Sequence, residues 1–270
     1  MKKQILDECD YDFIKGKVFK ERKYNYNLTC KYRVEEERGS FFYILNSPLF
    51  YDLGSQAFSY TQEILGNYLK NCFKKLNVTR YAKVFIVGLG NPRLSADALG
   101  ERVFEKVLKT GDILSKYNNL RFTQGIATNI YANTGIDTDR LIKAVVDKEK
   151  PDLVIVIDSL ATSNIERLGM SFQLTNTSLQ PGGALNSNNK ILSKEMLGVE
   201  TLFIGVPFIY KYEKENKVYY LSSKDTDYNV KICANVIANS LNSQLFPSLK
   251  KSEIEDLIFN IWQEFIRNIK

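Results

Sequence analysis

The sequence predicts an α/β protein with a twisted, largely parallel central sheet flanked by helices and a β-rich addition at its N-terminal end. Residues 84–87, 153–157 and 201–206 are apolar at nearly every position, which is typical of central parallel strands covered on both faces. Amphipathic helical segments alternate with these runs, as in βαβ folds. Residues 15–46 instead alternate polar with apolar or aromatic side chains around Glu-Arg-Gly-Ser, which predicts an antiparallel hairpin or meander.

The individual elements follow in chain order. Residues 55–76 carry apolar side chains near helical spacing, which predicts a helix that covers the sheet. The other predicted elements are strands at 84–87, 120–126, 152–158 and 201–206, and helices at about 97–109, 138–150, 230–245 and 252–269. Pro151 ends the second of these helices, and Pro247 separates the last two.

Two segments allow more than one interpretation. Residues 175–190, TNTSLQPGGALNSNNK, are polar and glycine-rich, and their length indicates a binding loop or lid, or plain disorder. The last helix has an apolar stripe, which predicts core packing or a subunit interface and leaves a homo-oligomer open. We expect one domain over 1–270, with the β-rich addition at 1–55, the α/β core at 56–247 and the C-terminal helix at 248–270.

The composition excludes several classes of function. The 270 residues include no histidine, which removes Ser-His-Asp and Cys-His nucleophilic systems, HExxH zinc sites and every imidazole base. Any catalysis must therefore use carboxylates, lysine, tyrosine or backbone dipoles. The four cysteines form no CxxC motif and indicate reduced thiols of a cytosolic protein, so we expect neither a metal nor a cofactor.

Charge and hydropathy limit the partners. The net charge of +6 is scattered, and the N-terminal residues mix basic with acidic side chains, so we expect no direct contact with nucleic acid. No apolar run approaches the ~18 residues that a membrane span needs. The N-terminal MKKQILDECDYDF has acids where a signal peptide needs an apolar region, which favours a cytoplasmic location.

Two aspartates lie at the ends of predicted strands or of the turns that follow them. Asp97 ends the turn of VFIVGLGNPRLSAD, and Asp158 ends VIVID. Ligands of doubly wound sheets bind in the crevice at the carboxyl ends of the strands, so we expect both carboxylates there, together with the GIATNIYANTG segment. A converging pair could share a proton, activate a water and protonate a leaving amide.

Helix capping is the alternative for each aspartate. Asp97 or Ser95 could cap a helix that begins at Ala98, and Asp158 could cap a short helix in SLATSNIERL. The matching topological positions, in a chain without histidine, make catalysis about as well supported as capping. In the catalytic case the helix dipole favours an ionised Asp97, and desolvation keeps a proton on Asp158 for longer.

Glycine turns near these aspartates are candidates for substrate binding. The turns at Gly88, Gly90 and Asn91 and at Thr134 and Gly135 could point backbone N–H groups at a substrate carbonyl, or their glycines merely permit tight turns. The stretch GLGNPR lacks the third glycine of GxGxxG and does not match GxxxxGK[ST]. A dinucleotide or phosphate-loop site is therefore not predicted.

The ordered motifs resemble the germination protease family, spore endopeptidases that degrade small acid-soluble spore proteins. The family's first motif is similar to VGLGNxxxxxDALG, and residues 87–100 are VGLGNPRLSADALG. Its second is similar to KPDxVIxIDxLA, and residues 150–161 are KPDLVIVIDSLA. The segments TGI, IERL, LSKEMLGV, IGVP and ANVIANSLNSQLFP follow in the family's order. The resemblance covers about 84–247.

The resemblance implies an aspartate-dependent, metal-independent endopeptidase with Asp97 and Asp158 in the positions of the catalytic pair. It also implies the fold shared with hydrogenase maturation proteases, small spore proteins as substrates and a place in the cytoplasm of the forespore or spore core. Gly182 and Gly183 of the long loop are then further candidates for substrate binding. Peptidyl-tRNA hydrolases also carry GLGNP, and hydrogenase maturation proteases have a similar order of elements, but both use a histidine that this chain lacks.

Several positions depart from the family pattern. Glu101 stands where the family usually has proline, Ser163 where it has arginine, and Asn176 where it has an acid. The segment after IGVP is FIYK, and the N-terminal part matches loosely, with no clear counterpart of the family's removable propeptide. These changes surround the predicted site. The alternative function is therefore a degenerate member that binds a spore protein or assembly partner without cutting it.

Overall fold

A mixed sheet organises the part of the chain that the structure describes. The structure is a computed structural model, and it describes residues 19–47, 50–111, 119–128, 135–181, 191–215 and 217–268. The described strands are β1 Lys20–Lys23, β2 Thr29–Glu35, β3 Ser40–Asn46, β4 Val84–Gly88, β5 Thr123–Ala127, β6 Leu153–Thr162, β7 Ser171–Thr175, β8 Ser178–Leu179, β9 Leu192–Ser193, β10 Glu200–Lys214 and β11 Lys217–Leu221. The described helices are α1 Phe50–Lys75, α2 Leu99–Lys106, α3 Thr138–Glu149, α4 Lys194–Leu197, α5 Thr226–Leu245 and α6 Lys251–Asn268.

The centre of the sheet is parallel. The strands lie in the order β1-β2-β3-β7-β10-β6-β4-β5, and β10, β6, β4 and β5 run parallel to one another. Every residue of β4 and β6 is buried. Successive side chains of a strand point to opposite faces, so a strand covered on both faces is mostly apolar, as β4 and the first five residues of β6 are. This arrangement confirms the predicted α/β class.

The N-terminal strands extend the same sheet. Strands β1, β2 and β3 pair antiparallel in chain order, β3 pairs antiparallel with β7, and β7 pairs antiparallel with β10. The aromatic side chains Phe41, Phe42 and Tyr43 of β3 are buried on alternating faces of the sheet. The predicted β-rich addition is therefore confirmed, and it is a continuation of the central sheet.

The side chains of β6 separate two faces of the sheet. Leu153 and Ile157 pack in one apolar cluster with side chains of α1, α2 and α5, on what we call the first face. Val156 and Leu160 pack in a second cluster with side chains of α3, α4, β8 and β9, on the second face. Side chains alternate along a strand, so Asp158 points to the same side of the sheet as Val156 and Leu160 and to the opposite side from Ile157. Its side chain therefore belongs to the second face.

Several elements differ from the sequence prediction. Helix α1 begins at Phe50 instead of residue 55, and β5 occupies Thr123–Ala127 instead of 120–126. Strand β6 continues beyond Asp158 to Thr162, because it pairs with β10 over its whole length. The sequence pattern also misses β7 and β11. The first mixes polar with apolar residues inside the sheet, and the second is exposed along its whole length.

Candidate active site

The turn after β4 holds the carboxylate of Asp97 against its own backbone. Asp97 ends a 3-10 helix, Ser95–Asp97, and its N–H donates to the carbonyl of Leu94 at 2.8 Å. Its Oδ2 accepts a hydrogen bond from the N–H of Asn91 at 2.9 Å. The Oδ1 of Asn91 in turn accepts from the N–H of Arg93 at 3.0 Å, which closes an Asx turn. The carboxylate is thus fixed by the turn that precedes it.

Gly90 is required in this turn for two physical reasons. Its φ is +110°, a conformation that residues with a Cβ rarely adopt. A Cβ at this position would also lie 2.0 Å from the backbone oxygen of Asp97 and 3.1 Å from its Oδ1. The chain therefore passes directly over Asp97, at a distance that only glycine permits.

Asp158 lies inside β6, and its two chain neighbours are bonded to the turn after β4 and to the start of α2. Asp158 is 4% exposed, and its Oδ1 accepts from the N–H of Ser159 at 2.8 Å. The N–H of Leu89 donates to the carbonyl of Ile157 at 2.8 Å. The N–H of Leu99 donates to Oγ of Ser159 at 3.4 Å. These bonds bring both predicted aspartates to the same stretch of the carboxyl edge of the sheet.

The structure contradicts the capping interpretation of both aspartates. The N-cap residue of α2 is Ala98, and no side chain caps that helix, so Asp97 lies one position too early. The segment after Asp158 continues as β6 and is not helical. The next 3-10 helix, Ile165–Arg167, is capped by the side chain of Asn164. Neither carboxylate therefore serves to start a helix.

Burial raises the pKa of Asp97 to about 6, and the hydrogen bond from the N–H of Asn91 opposes this shift. The cause is desolvation, which disfavours the charged form of a carboxyl group. Desolvation thus outweighs the expected effect of the helix dipole on Asp97, whose carboxyl group lies in the 3-10 helix ahead of α2. A carboxyl group with this pKa gains and loses a proton close to neutral pH, as general acid–base catalysis requires.

The raised pKa predicts that Asp97→Asn stabilises the protein above pH 6. The folded state binds this proton more tightly than the unfolded chain, so the wild-type protein loses stability as the pH rises from about 4 through 6. Asparagine carries no such proton and can still accept the bond from Asn91. We expect a gain of about 1–3 kcal/mol at pH 8 that shrinks to a fraction of this value near pH 4. Urea unfolding of both proteins across this range measures it, and a pH-independent difference would contradict it.

The predicted residues Gly88, Gly90 and Asn91 lie together in the turn beside Asp97. Gly88 ends β4, where a Cβ would lie 2.4 Å from the backbone oxygen of Gly100 in α2. This close approach lets the helix start against the end of the strand. The side chain of Asn91 is 8% exposed and is used inside the turn, so it supports the loop.

The remaining predicted binding residues are not joined to the aspartates. Gly135 precedes α3 with a φ of +67°, and nothing lies within 4 Å of the position that a Cβ would occupy there. It makes no hydrogen bond with either aspartate in the described part of the chain. Thr134, Gly182 and Gly183 lie outside the described residues.

The described stem of the long loop packs on the face that Asp158 shares. Strand β8 pairs antiparallel with β9, and together they close this stem. Leu179 of β8 and Leu192 of β9 are fully buried in the cluster that also contains Leu160. The stem is therefore anchored to the second face, and residues 182–190 lie outside the described ranges.

Thr128 is a polar residue at this edge that the sequence analysis did not single out. It follows β5, and its N–H donates to the carbonyl of Gly88 at 2.8 Å. The residue is 4% exposed, and its Oγ1 has no hydrogen-bond partner among the described residues. The GIATNIYANTG segment was predicted to reach the crevice, but which of its side chains turns inward depends on the neighbouring strand.

Two kinds of feature are absent from the described ranges. No group of three or more Cys, Asp or Glu side chains there is arranged to hold a metal ion. None of the helices in those ranges combines the length and apolarity needed to cross a bilayer.

Comparison with known proteins decides the family. The model of the germination protease family matches residues 22–212. This range includes Asp97, Asp158 and the turn that joins β4 to Asp97. The chain belongs to the germination protease family. It is 36% identical to the germination protease of Geobacillus sp. strain WCH70 over 153 residues, which are 55% of this chain and 41% of that protein.

Two further germination proteases match this chain at similar identity and coverage. The germination protease of Oceanobacillus iheyensis is 36% identical over 152 residues, or 54% of this chain and 41% of that protein. The germination protease of Bacillus cereus strain AH187 is 38% identical over 141 residues, or 50% of this chain and 38% of that protein. The match therefore spans less than half the length of each of these family members.

Proposed function

We propose that this member of the germination protease family is an endopeptidase that hydrolyses small acid-soluble spore proteins, with Asp97 and Asp158 as its catalytic pair. One observation carries the proposal: the turn after β4 is bonded to Ile157, and the first residue of α2 is bonded to Ser159, so that both chain neighbours of Asp158 are contacted from the two sides of Asp97. We therefore propose that the two carboxyl groups share one crevice at this edge of the sheet. Hydrolysis of a peptide bond by water needs a base that takes a proton from the water and an acid that gives one to the leaving amine.

Asp97 is the proposed acid of the pair. Because burial raises its pKa to about 6, part of the population keeps the proton near neutral pH and can deliver it to the leaving nitrogen. Asp158 then acts as the base toward the attacking water. After the reaction the proton lies on the other carboxyl group, and its return through the pair or through solvent resets the site.

The N–H of Gly90 is the proposed donor to the substrate carbonyl. The N–H groups of Leu89 and Asn91 are engaged by β6 and by the carboxylate of Asp97. The N–H of Gly90 makes no hydrogen bond within the described residues, and Pro92 has no backbone N–H group. A backbone donor aimed at a developing oxyanion stabilises the tetrahedral intermediate of acyl transfer. Of the backbone N–H groups predicted to bind the substrate carbonyl in this turn, we therefore propose that of Gly90 alone.

Digestion of purified small acid-soluble spore proteins tests the proposal. We expect discrete fragments on a gel, each with new termini that mass spectrometry assigns to defined peptide bonds. Substrate that stays intact and co-elutes with the protein would contradict hydrolysis and would support a binding function. The proposed place of action is the cytoplasm of the forespore or spore core, and the proposed partners are these substrates, without direct contact with nucleic acid.

Chelation is expected to leave turnover unchanged. The whole chain contains no histidine, and the described residues include no acidic or thiol cluster of metal-binding size. In the proposed mechanism, carboxylate chemistry alone activates the water. Turnover is measured before and after EDTA treatment, with a zinc peptidase treated in parallel as the positive control. Activity that disappears with EDTA and returns with added zinc or nickel would refute the metal-independent mechanism.

A binding or assembly function is the second candidate, and Asn176 is the observation that favours it. Its side chain accepts from the N–H of Phe41 at 2.9 Å and donates to the carbonyl of Gly39 at 3.0 Å. An ionised aspartate could accept the first bond but could not donate the second. Asn176, which replaces the acidic residue of the family pattern, therefore supports the turn before β3. A structural role in place of an acidic side chain fits a family member that has lost catalytic groups.

A further inference from the structure

The hairpin formed by β10 and β11 extends the sheet past its carboxyl edge as a two-stranded ribbon. Residues 210–214 of β10 pair antiparallel with 217–221 of β11, and every residue of β11 is exposed. Because β10 also carries Gly205, the partner of Asp158 in β6, the ribbon is a direct continuation of a strand of the candidate site. We call residues 210–221 the tyrosine ribbon.

Tyrosines collect on one face of the tyrosine ribbon. Tyr210 pairs with Leu221, and Tyr212 pairs with Tyr219. The rings of Tyr210 and Tyr212 are 6.2 Å apart, and those of Tyr212 and Tyr219 are 6.4 Å apart, as expected for side chains that share a face. The intervening positions, which include Tyr220, point to the opposite face.

The pairing of β10 with β6 identifies the tyrosine face as the one that carries Asp158. A bulge between Pro207 and Ile209 shifts the alternation of β10 by one residue. After the bulge, Tyr210 pairs with Thr162, which lies four positions beyond Asp158 on β6 and therefore shares its face. The tyrosine face thus continues the second face of the sheet beyond the candidate site.

Charges differ between the two faces of the tyrosine ribbon. On the tyrosine face, Lys214 lies directly opposite Lys217, and like charges in this position are unfavourable unless a partner neutralises them. Among the described residues, the one acidic side chain that approaches them is that of Glu215, at 3.9 Å from Lys214. On the other face, Lys211 forms an ion pair at 3.7 Å with Glu213, the next residue of β10 on that face. The net positive charge of the ribbon, from Lys214 and Lys217, therefore lies on the tyrosine face.

Substantial apolar surface is exposed on the tyrosine face. Tyr212 is 41% exposed, Tyr219 is 45% exposed, and Leu221 is 50% exposed. Aromatic rings grouped with a positive charge are typical of the centre of a protein interface, where tyrosine is enriched. The continuity with the crevice of Asp158 argues that the partner which covers this face is the same chain that enters the crevice.

We propose that the tyrosine ribbon docks an extended, acidic segment of the polypeptide substrate, on the side chains of Tyr212 and Tyr219 and the ammonium groups of Lys214 and Lys217. This inference rests on the proposed function, since it places the docked segment on a substrate of the Asp158 crevice. Tyr212 follows Gly205 by seven residues, roughly 20 Å along a strand. The docked segment therefore lies on the order of seven residues from the cleaved bond.

Two double variants with matched exposure test the docking role. Tyr212→Ser with Tyr219→Ser removes the rings of the tyrosine face. Val218→Ser with Tyr220→Ser is the control on the opposite face, where the side chains are 46% and 38% exposed. Each is compared with the wild-type protein on an intact small acid-soluble spore protein and on an eight-residue peptide that spans its mapped cleavage site. Melting temperatures check that all proteins are folded.

The expected result is a change in the ratio of two activities. For the tyrosine-face variant we expect kcat/KM on the intact protein to fall about tenfold or more relative to kcat/KM on the short peptide. The control variant keeps the wild-type ratio. Lys214→Glu with Lys217→Glu should lower the ratio in the same direction. Equal ratios in all variants, or equal losses on both faces, would overturn the proposal.

A binding measurement separates the failure of this inference from the failure of the proposed function. Absence of fragments with the wild-type protein refutes hydrolysis but leaves docking testable. Fluorescence anisotropy with the labelled intact spore protein then gives Kd, which should weaken about tenfold or more in the tyrosine-face variant alone. An unchanged Kd together with loss of self-association in a sedimentation experiment would assign the tyrosine face to a second copy of the chain and would overturn the proposal.

Discussion

Asp97→Asn is expected to lower the turnover of small spore proteins by at least about a thousandfold while the protein stays folded. Asparagine has the same volume as aspartate, and its Oδ1 can accept the hydrogen bond that the N–H of Asn91 now gives to Asp97. The amide cannot take up or release a proton near neutral pH, so only the chemical role is lost. The measurements are kcat on a small spore protein and the melting temperature.

Asp152→Asn is the matched control for this change. Asp152 also accepts a hydrogen bond from a backbone N–H, that of Lys83 at 2.7 Å, but it precedes β6 and lies at the opposite edge of the sheet. Its conversion to asparagine should leave turnover near the wild-type value. Near-normal turnover of Asp97→Asn would remove Asp97 from the mechanism. Unfolding of the variant, contrary to the stability gain expected above pH 6, would assign it a structural role.

Gly90→Ala is expected to destabilise the protein by roughly 2–4 kcal/mol and to abolish most of its activity. A Cβ would lie 2.0 Å from the backbone oxygen of Asp97, so the turn cannot keep its path. The same movement would displace the proposed donor N–H and break the bond between Asn91 and Asp97. Urea unfolding gives the free energy, and the assay on a spore protein gives kcat.

Gly39→Ala separates the steric clash from the cost of a positive φ. Gly39 has a φ of +60°, and nothing lies within 4 Å of the position of its Cβ. Alanine there should cost only about 1 kcal/mol, because the left-handed conformation is its sole penalty. A loss for Gly90→Ala no larger than that for Gly39→Ala would contradict the close packing of the turn over Asp97.

The central strands and the positions of both aspartates could be predicted because they depend on local pattern. A strand covered on both faces is apolar at most positions, so β4 and the first half of β6 stand out in the sequence. The carboxyl end of a parallel strand also fixes the edge at which the next residues lie. These two rules place the turn that ends in Asp97 and bring Asp158 near the same edge, although β6 continues for four residues beyond Asp158.

The remaining features depend on tertiary contacts that no local pattern records. Capping was plausible for Asp97 until the 3-10 helix placed it before the N-cap residue Ala98. Its raised pKa arises from burial in the folded chain. Strand β6 runs past Asp158 because β10 pairs with it, and a bulge after Pro207 turns the tyrosines of β10 toward the second face. Sequence periodicity cannot show a pairing partner or a bulge of this kind.

The paired role of the two aspartates is tested most directly by comparing kcat of Asp97→Asn, Asp158→Asn and the double variant on one small spore protein. Residues that act as one unit lose their function together, so each single variant should fall by at least about a thousandfold and the double variant should be within about threefold of the worse single one. Losses that multiply in the double variant, or near-normal turnover of Asp158→Asn, would contradict a catalytic pair.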